Sequence, residues 1–164
     1  MRALKFAAIA SFSLLLVMVL LVGYLFLTSE VQIIGIESVG VSAAEASEQF
    51  YQHQNAIKEN TFIGTVFQTP VEWKQPSDYA YLTYTLRIQN NCLVPIDMIE
   101  VQIIPQSNDI LQVGDLQVHS LGTKSTGDLS VQILTSKDAH PVREMIVTYY
   151  VWGVSFSLKT TYGT

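Results

Sequence analysis

The sequence predicts a mainly β protein: an antiparallel β-sandwich behind one N-terminal transmembrane helix, with one short amphipathic helix between them. Three observations predict it. Phe6 to Leu27 is a run without a charge, a proline or an amide side chain. Residues 43–58 carry apolar positions at helical spacing. From Thr61 onward the apolar period drops to two.

At about 1.5 Å per residue, the apolar run reaches about 33 Å, against a hydrocarbon core of about 30 Å. Arg2 and Lys5 precede it, while Glu30 and Glu37 follow. The positive-inside rule then puts the N-terminus in the cytoplasm and the C-terminal domain outside, in a single-pass cell-membrane layout. A cleaved signal peptide is the rival, but its apolar region is about 7–15 residues long and ends near an Ala-x-Ala site. Phe26-Leu27-Thr28-Ser29-Glu30 offers no such site, so the run reads as an uncleaved signal anchor. The expected organisation is a cytoplasmic tail (1–5), a transmembrane helix (6–27), a juxtamembrane strand and helix (28–60) and an extracytoplasmic domain (61–164). A five-residue tail holds no domain, so inward signalling needs a partner helix in the bilayer. Ala3, Ala7 and Ser11, spaced by four, are the candidate helix-packing face.

Residues 31–39 read as a strand leaving the membrane. Ser42-Ala43-Ala44-Glu45 has the form of a capping box, in which serine and glutamate satisfy free amides at a helix start. Ala46, Phe50, His53 and Ile57 follow on one stripe, with Glu48, Gln52 and Lys58 off it. This helix packs on the downstream domain or lies against membrane or a partner.

Beyond Thr61, Leu82, Tyr84, Leu86 and Ile88 alternate with polar residues, as do Ile99, Val101 and Ile103. So do Leu129, Val131 and Ile133, then Met145, Val147, Tyr149 and Val151, then Val154, Phe156 and Leu158. Turn-forming clusters separate these runs: 75–78, 90–91, 106–109, 122–125 and 137–138. Short alternating strands with such punctuation give antiparallel sheets with one buried face each, in a sandwich or a barrel. No helices separate the strands, which excludes the parallel-sheet classes.

Leu86-Arg87-Ile88-Gln89-Asn90-Asn91-Cys92-Leu93-Val94-Pro95-Ile96 resembles the strand–Asn–loop–Pro–strand corner of immunoglobulin-like modules in the late-embryogenesis-abundant (WHy-type) and FxLYD-type families. The resemblance covers about a hundred residues from Thr61. It implies an immunoglobulin-like sandwich, often behind one N-terminal anchor in bacteria, and no catalytic residue set. The Phe-x-Leu-Tyr-Asp signature is absent. In the corner itself, Asn tolerates left-handed backbone geometry and Pro95 stiffens the re-entry.

Removing Arg2 and Lys5 leaves 7 basic against 14 acidic residues, a net charge of -7 after the anchor. Such a domain is repelled by phosphate backbones and by anionic headgroups, so nucleic acid is excluded as a partner. Cys92 is the one cysteine, so no internal disulfide forms, and it reads as a small apolar residue. No Asn-x-Ser/Thr sequon occurs, and a bacterial envelope is the natural setting.

The search for chemistry yields little. Gly153-Val154-Ser155-Phe156-Ser157 lacks the final glycine of a nucleophile elbow and falls in an expected hairpin. His53, His119 and His140 fall on a helix, a strand and a loop without metal-ligand spacing. Asp109, Asp115 and Asp128 read as turn residues. No catalytic, cofactor or metal residues are therefore expected. Tyr149, Tyr150 and Trp152, with Trp73, Tyr79, Tyr81 and Tyr162, are the most suggestive set. Alternation puts Tyr150 and Trp152 opposite the core face, where they form a candidate binding surface unless covered by the 43–58 helix. The expected function is a membrane-tethered scaffold or binding protein, bilayer-bound through its helix and contacting an envelope protein without catalysis. The alternative is a small ligand or lipid held between the sheets, which requires a cavity of several hundred cubic ångströms.

Overall fold

The computed structural model describes residues 2–27 and 30–163, with residues 2–4, 7, 8, 26 and 27 described by backbone alone. The elements in chain order are α1 (Arg2–Leu27), β1 (Val31–Ser42), α2 (Ser47–Lys58), β2 (Gly64–Val66), β3 (Tyr79–Asn90), β4 (Ile96–Ile103), β5 (Asp109–Val113), β6 (His119–Leu121), β7 (Thr126–Ser136), β8 (Arg143–Val151) and β9 (Val154–Tyr162).

Helix α1 is continuous over 26 residues, about 39 Å at 1.5 Å per residue. On the described residues alone, no helix is long and apolar enough to cross a membrane. Leu25, near its C-terminal end, packs against the core of the β domain.

The strands form two antiparallel sheets, ordered β1-β3-β7-β5-β2 and β6-β4-β8-β9. Alternation in the sequence sets which face of each strand is buried. Leu82, Tyr84, Leu86 and Ile88 from β3 and Leu129, Val131 and Ile133 from β7 meet Ile99, Val101 and Ile103 from β4. Met145, Val147, Tyr149 and Val151 from β8 complete that core, so the sheets share one apolar layer in the manner of a sandwich. Each large aliphatic buried there stabilises the fold by roughly 1.5–3 kcal/mol.

Strand β3 is also buried on its outer side at its first residues, because α2 covers Tyr79 and Tyr81. The stripe Ala46, Phe50, His53 and Ile57 faces the sheet as the spacing predicts. Phe50 is fully buried, with ring centroids 5.6 Å from Trp73 and 5.3 Å from Tyr79. The His53 ring and the Tyr81 hydroxyl lie 3.0 Å apart, and Gln49 donates to Gln132 at 2.7 Å. The helix therefore packs on the domain.

Its start differs from the expected capping box. Ser42 is still paired with Ala80 at the end of β1. Its hydroxyl accepts the Ala44 amide at 3.3 Å, closing a turn, and the helix begins at Ser47 with Ala46 as an N-cap that makes no side-chain bond. The corner after β3 also differs. Neither Asn90 nor Asn91 has positive φ; among the described residues, the left-handed non-glycine ones are Asn60, Met98, Lys124 and Trp152. Asn90 is fully buried and works by hydrogen bonding instead. Its amide donates to the Val94 and Gly122 carbonyls at 3.0 and 2.8 Å, and its oxygen accepts the Cys92 amide at 2.9 Å. That bond closes an Asx turn between the sheets.

Two buried polar links join the layers. Arg143 of β8 clasps Asp109 of β5 through two bonds of 2.8 and 2.6 Å. Gln112 of β5 accepts the Ile103 amide at 2.8 Å and donates to the Val101 carbonyl at 2.9 Å. Its primary amide thus completes the edge of β4 beyond Ile99, the last residue to pair with β6. Among the described residues, no buried side-chain nitrogen or oxygen lacks a hydrogen-bond partner, as a stable interior requires.

Candidate binding site

The two layers do not match in width. Five strands face four, and the strands β2 and β6 along one side are three residues long. On the opposite side β9 lies against β1. Along the narrow side the sheets part, and a cleft of about 420 Å³ opens between them.

Ile99 and Val101 of β4, Leu129 and Val131 of β7 and Val113 at the end of β5 line it together with polar residues, among them Thr65, Gln112, Gln117 and His119. Ile63, Met98 and Val118 stand at its mouth with 56%, 58% and 77% of their surface exposed. Leu116, 77% exposed, sits on the same 114–118 loop. Met98 reaches the mouth because β4 bulges there. Its φ is 50°, and register shifts on both sides of β4, between Ile96 and Ile99 and between Asp97 and Glu100. Bulges re-aim side chains in this way.

The loop over the cleft is pinned by its own polar groups. Asp115 accepts the Gln117 amide at 2.8 Å, and its other oxygen lies 2.6 Å from His119 Nε2. The Gln117 amide first, and His119 second, hold the Asp115 carboxyl below its ordinary range. Below the loop, Gly64 has φ of 141°, and a Cβ there would come within 2.2 Å of the Gln112 carbonyl oxygen. Only glycine fits this approach of β2 to β5.

The residues singled out from sequence scatter. Ala3 and Ala7 lie outside the described side chains, and Ser11 is exposed on α1. Tyr150 is half-buried on the outer side of β8, level with Asp97 and Ser155. Trp152 does not continue that strand. Val151 pairs with Val154, leaving Trp152 and Gly153 as a two-residue turn with φ of 49° and 80°. The position of Trp152 is therefore set by the hairpin turn and not by strand alternation. Of the other aromatics, Trp73, Tyr79 and Tyr81 lie under α2, Tyr149 stacks on Phe156 at 5.6 Å, and Tyr162 meets Tyr84.

Asp109 and Asp128 are strand residues, paired with Arg143 and Arg87, and only Asp115 is the expected turn aspartate. Cys92 is a fully buried member of the core. His53, His119 and His140 lie on α2, on β6 and before β8, and among the described residues no three metal-binding side chains converge. The cleft itself left no sequence signal, because β2, β5 and β6 are too short to establish a period; the nearest hint was the unabsorbed apolar pair Leu116 and Val118. Compared with known proteins, the chain matches no family model and no curated protein.

Proposed function

We propose that this chain is a single-pass membrane protein whose β domain works outside the cytoplasm as a non-catalytic binding or scaffold module for another envelope protein. The cleft and its apolar rim are the contact site in this reading. The carrying observation is the opening of about 420 Å³, lined by both apolar and polar side chains, with Ile63, Met98 and Val118 exposed at it and Leu116 exposed on the adjoining loop. Exposed apolar surface beside a groove is the usual mark of an interaction site, and the opening suits the anchor side chains of a partner.

The membrane anchor in this reading is α1. A continuous helix of 26 residues, uncharged from Phe6 to Leu27, supports it. Arg2 and Lys5 before the run support the orientation. An immunoglobulin-like topology and kinship with the late-embryogenesis-abundant or FxLYD-type modules are part of the same proposal. Supporting it, β1-β3-β7-β5 follows the A-B-E-D order and β4-β8-β9 the C-F-G order of that fold. Strands β2 and β6 and helix α2 are then additions.

A photo-crosslinking residue at 116 or 118 in the full chain tests the contact site. A specific protein adduct from these positions, absent from a control at Tyr51 on α2, is expected. Adducts equal at both places, or none, count against it. The cleft volume also favours a second reading, a small apolar ligand between the sheets. Mass spectrometry of organic extracts of the purified protein separates the two: a stoichiometric small molecule supports the second.

A further inference from the structure

The strand directions gather several segments at the end of the domain from which α1 departs. Val31 opens β1 opposite Asn90, the last residue of β3. Asp97 of β4 lies opposite Tyr150 of β8, which puts the Trp152–Gly153 turn at this same end. The Asn91 amide donates to the Glu30 carbonyl at 2.9 Å, so the 91–95 loop is tied to the link between α1 and β1. Glu30 follows Leu27 by three residues, a reach of about 10 Å at most. Leu25 of α1 packs on the core at this end. The headgroup layer on each face of a bilayer is about 5–7 Å deep, comparable with that reach.

This end carries large apolar side chains where polar ones are the rule. Leu93, Trp152 and Val154 are 57%, 54% and 49% exposed. Trp152 takes the first position of a two-residue hairpin turn with both φ angles positive, a position that favours asparagine or glycine. A tryptophan held there projects a ring of the type concentrated at membrane–water boundaries.

Resting on the reading of α1 as a membrane anchor, we propose that Leu93, Trp152 and Val154 form a second membrane contact. They lie at the boundary of headgroups and acyl chains in the bilayer that α1 spans, and hold the domain against that surface. The occupant is the lipid itself, engaged by apolar burial. Net-neutral lipid suffices, since the domain's charge of -7 disfavours an anionic surface.

The test uses the full chain reconstituted in phosphatidylcholine vesicles with and without bromine near the top of the acyl chains. The protein has two tryptophans. Trp73, 6.0 Å from Tyr79, sits at the far end of β3, about 35 Å of strand away from Asn90, and serves as the internal reference. Brominated lipid is expected to remove emission from the wild type and leave that of Trp152→Phe unchanged. Trp152→Asn, which suits the turn, should behave like Trp152→Phe in vesicles while melting no lower than the wild type in detergent. Wild-type emission no more sensitive to bromine than Trp152→Phe, in protein that resists alkaline extraction, overturns the second contact and leaves the anchor standing. Protein that washes off the vesicles overturns the anchor and the contact together.

Discussion

Arg143 and Asp109 form a two-point ion pair with no exposed side-chain surface, and it ties β8 of one sheet to β5 of the other. The remaining guanidinium nitrogen donates to the His140 and Val142 carbonyls, and Asp109 accepts the Gln106 amide at 2.8 Å. Both charges are thus fully partnered. Removing one alone strands the other. Asp109→Ala is expected to cost about 3–5 kcal/mol, while Arg143→Met with Asp109→Leu recovers much of that loss. Denaturant unfolding in detergent micelles reads both. A double variant no more stable than the single one would show that the pair itself holds the sheets.

Tyr84 beside this pair makes the fold sensitive to alkali. Its hydroxyl donates to the Pro141 carbonyl at 2.6 Å. Burial, opposed by the nearby Arg143, pushes its pKa up to about 12. Because the folded pKa is raised, the stabilisation is complete below the unfolded value near pH 10 and is lost as pH climbs toward about 12. That interval corresponds to about 3 kcal/mol. Burial raises Tyr81 and Tyr149 in the same direction. Ultraviolet titration should therefore show a group of tyrosinates appearing together with loss of tertiary signal. Ionisation of all eight tyrosines in one smooth step near pH 10, with the tertiary signal intact, contradicts this.

The buried corner after β3 gives a sharper test. Asn90→Ala removes the donor to Val94 and Gly122 and the acceptor for the Cys92 amide. Buried groups left without partners cost about 1–3 kcal/mol each, so a total loss above 2 kcal/mol is expected, with a lower melting temperature. The same change should make Cys92, otherwise sealed in the core, react with a thiol reagent under native conditions. Unchanged reactivity would mean that the corner holds without its asparagine.

What was legible from sequence follows from element length. β3, β4, β7 and β8 are eight residues or longer, enough for alternation to name their inner faces, and α2 showed its buried stripe. β2 and β6, three residues each, carry no period, so the cleft between them was invisible. Asp109 looked like a turn residue because its partner Arg143 lies 34 positions away, and local spacing says nothing about such a pair. Trp152 was placed by strand alternation, which runs unbroken through a two-residue turn, although a hairpin was expected at Gly153–Ser157.

The same turn yields the last prediction. A bulky residue in the left-handed region costs about 1–2 kcal/mol, and Asn-Gly is the favoured pair for a turn with two positive φ angles. Trp152 has φ of 49° ahead of Gly153 at 80°. Trp152→Asn is therefore expected to stabilise the β8–β9 hairpin by about 1 kcal/mol, seen as a higher melting temperature in lipid-free detergent. If the indole also rests in a bilayer, that gain should shrink or reverse in vesicles, where the wild-type ring buries its apolar surface in lipid and the asparagine does not. Equal gains in detergent and in vesicles would show that the ring makes no lipid contact. The sign of the difference between the two media thus separates a turn that is merely strained from one whose strain holds a membrane contact.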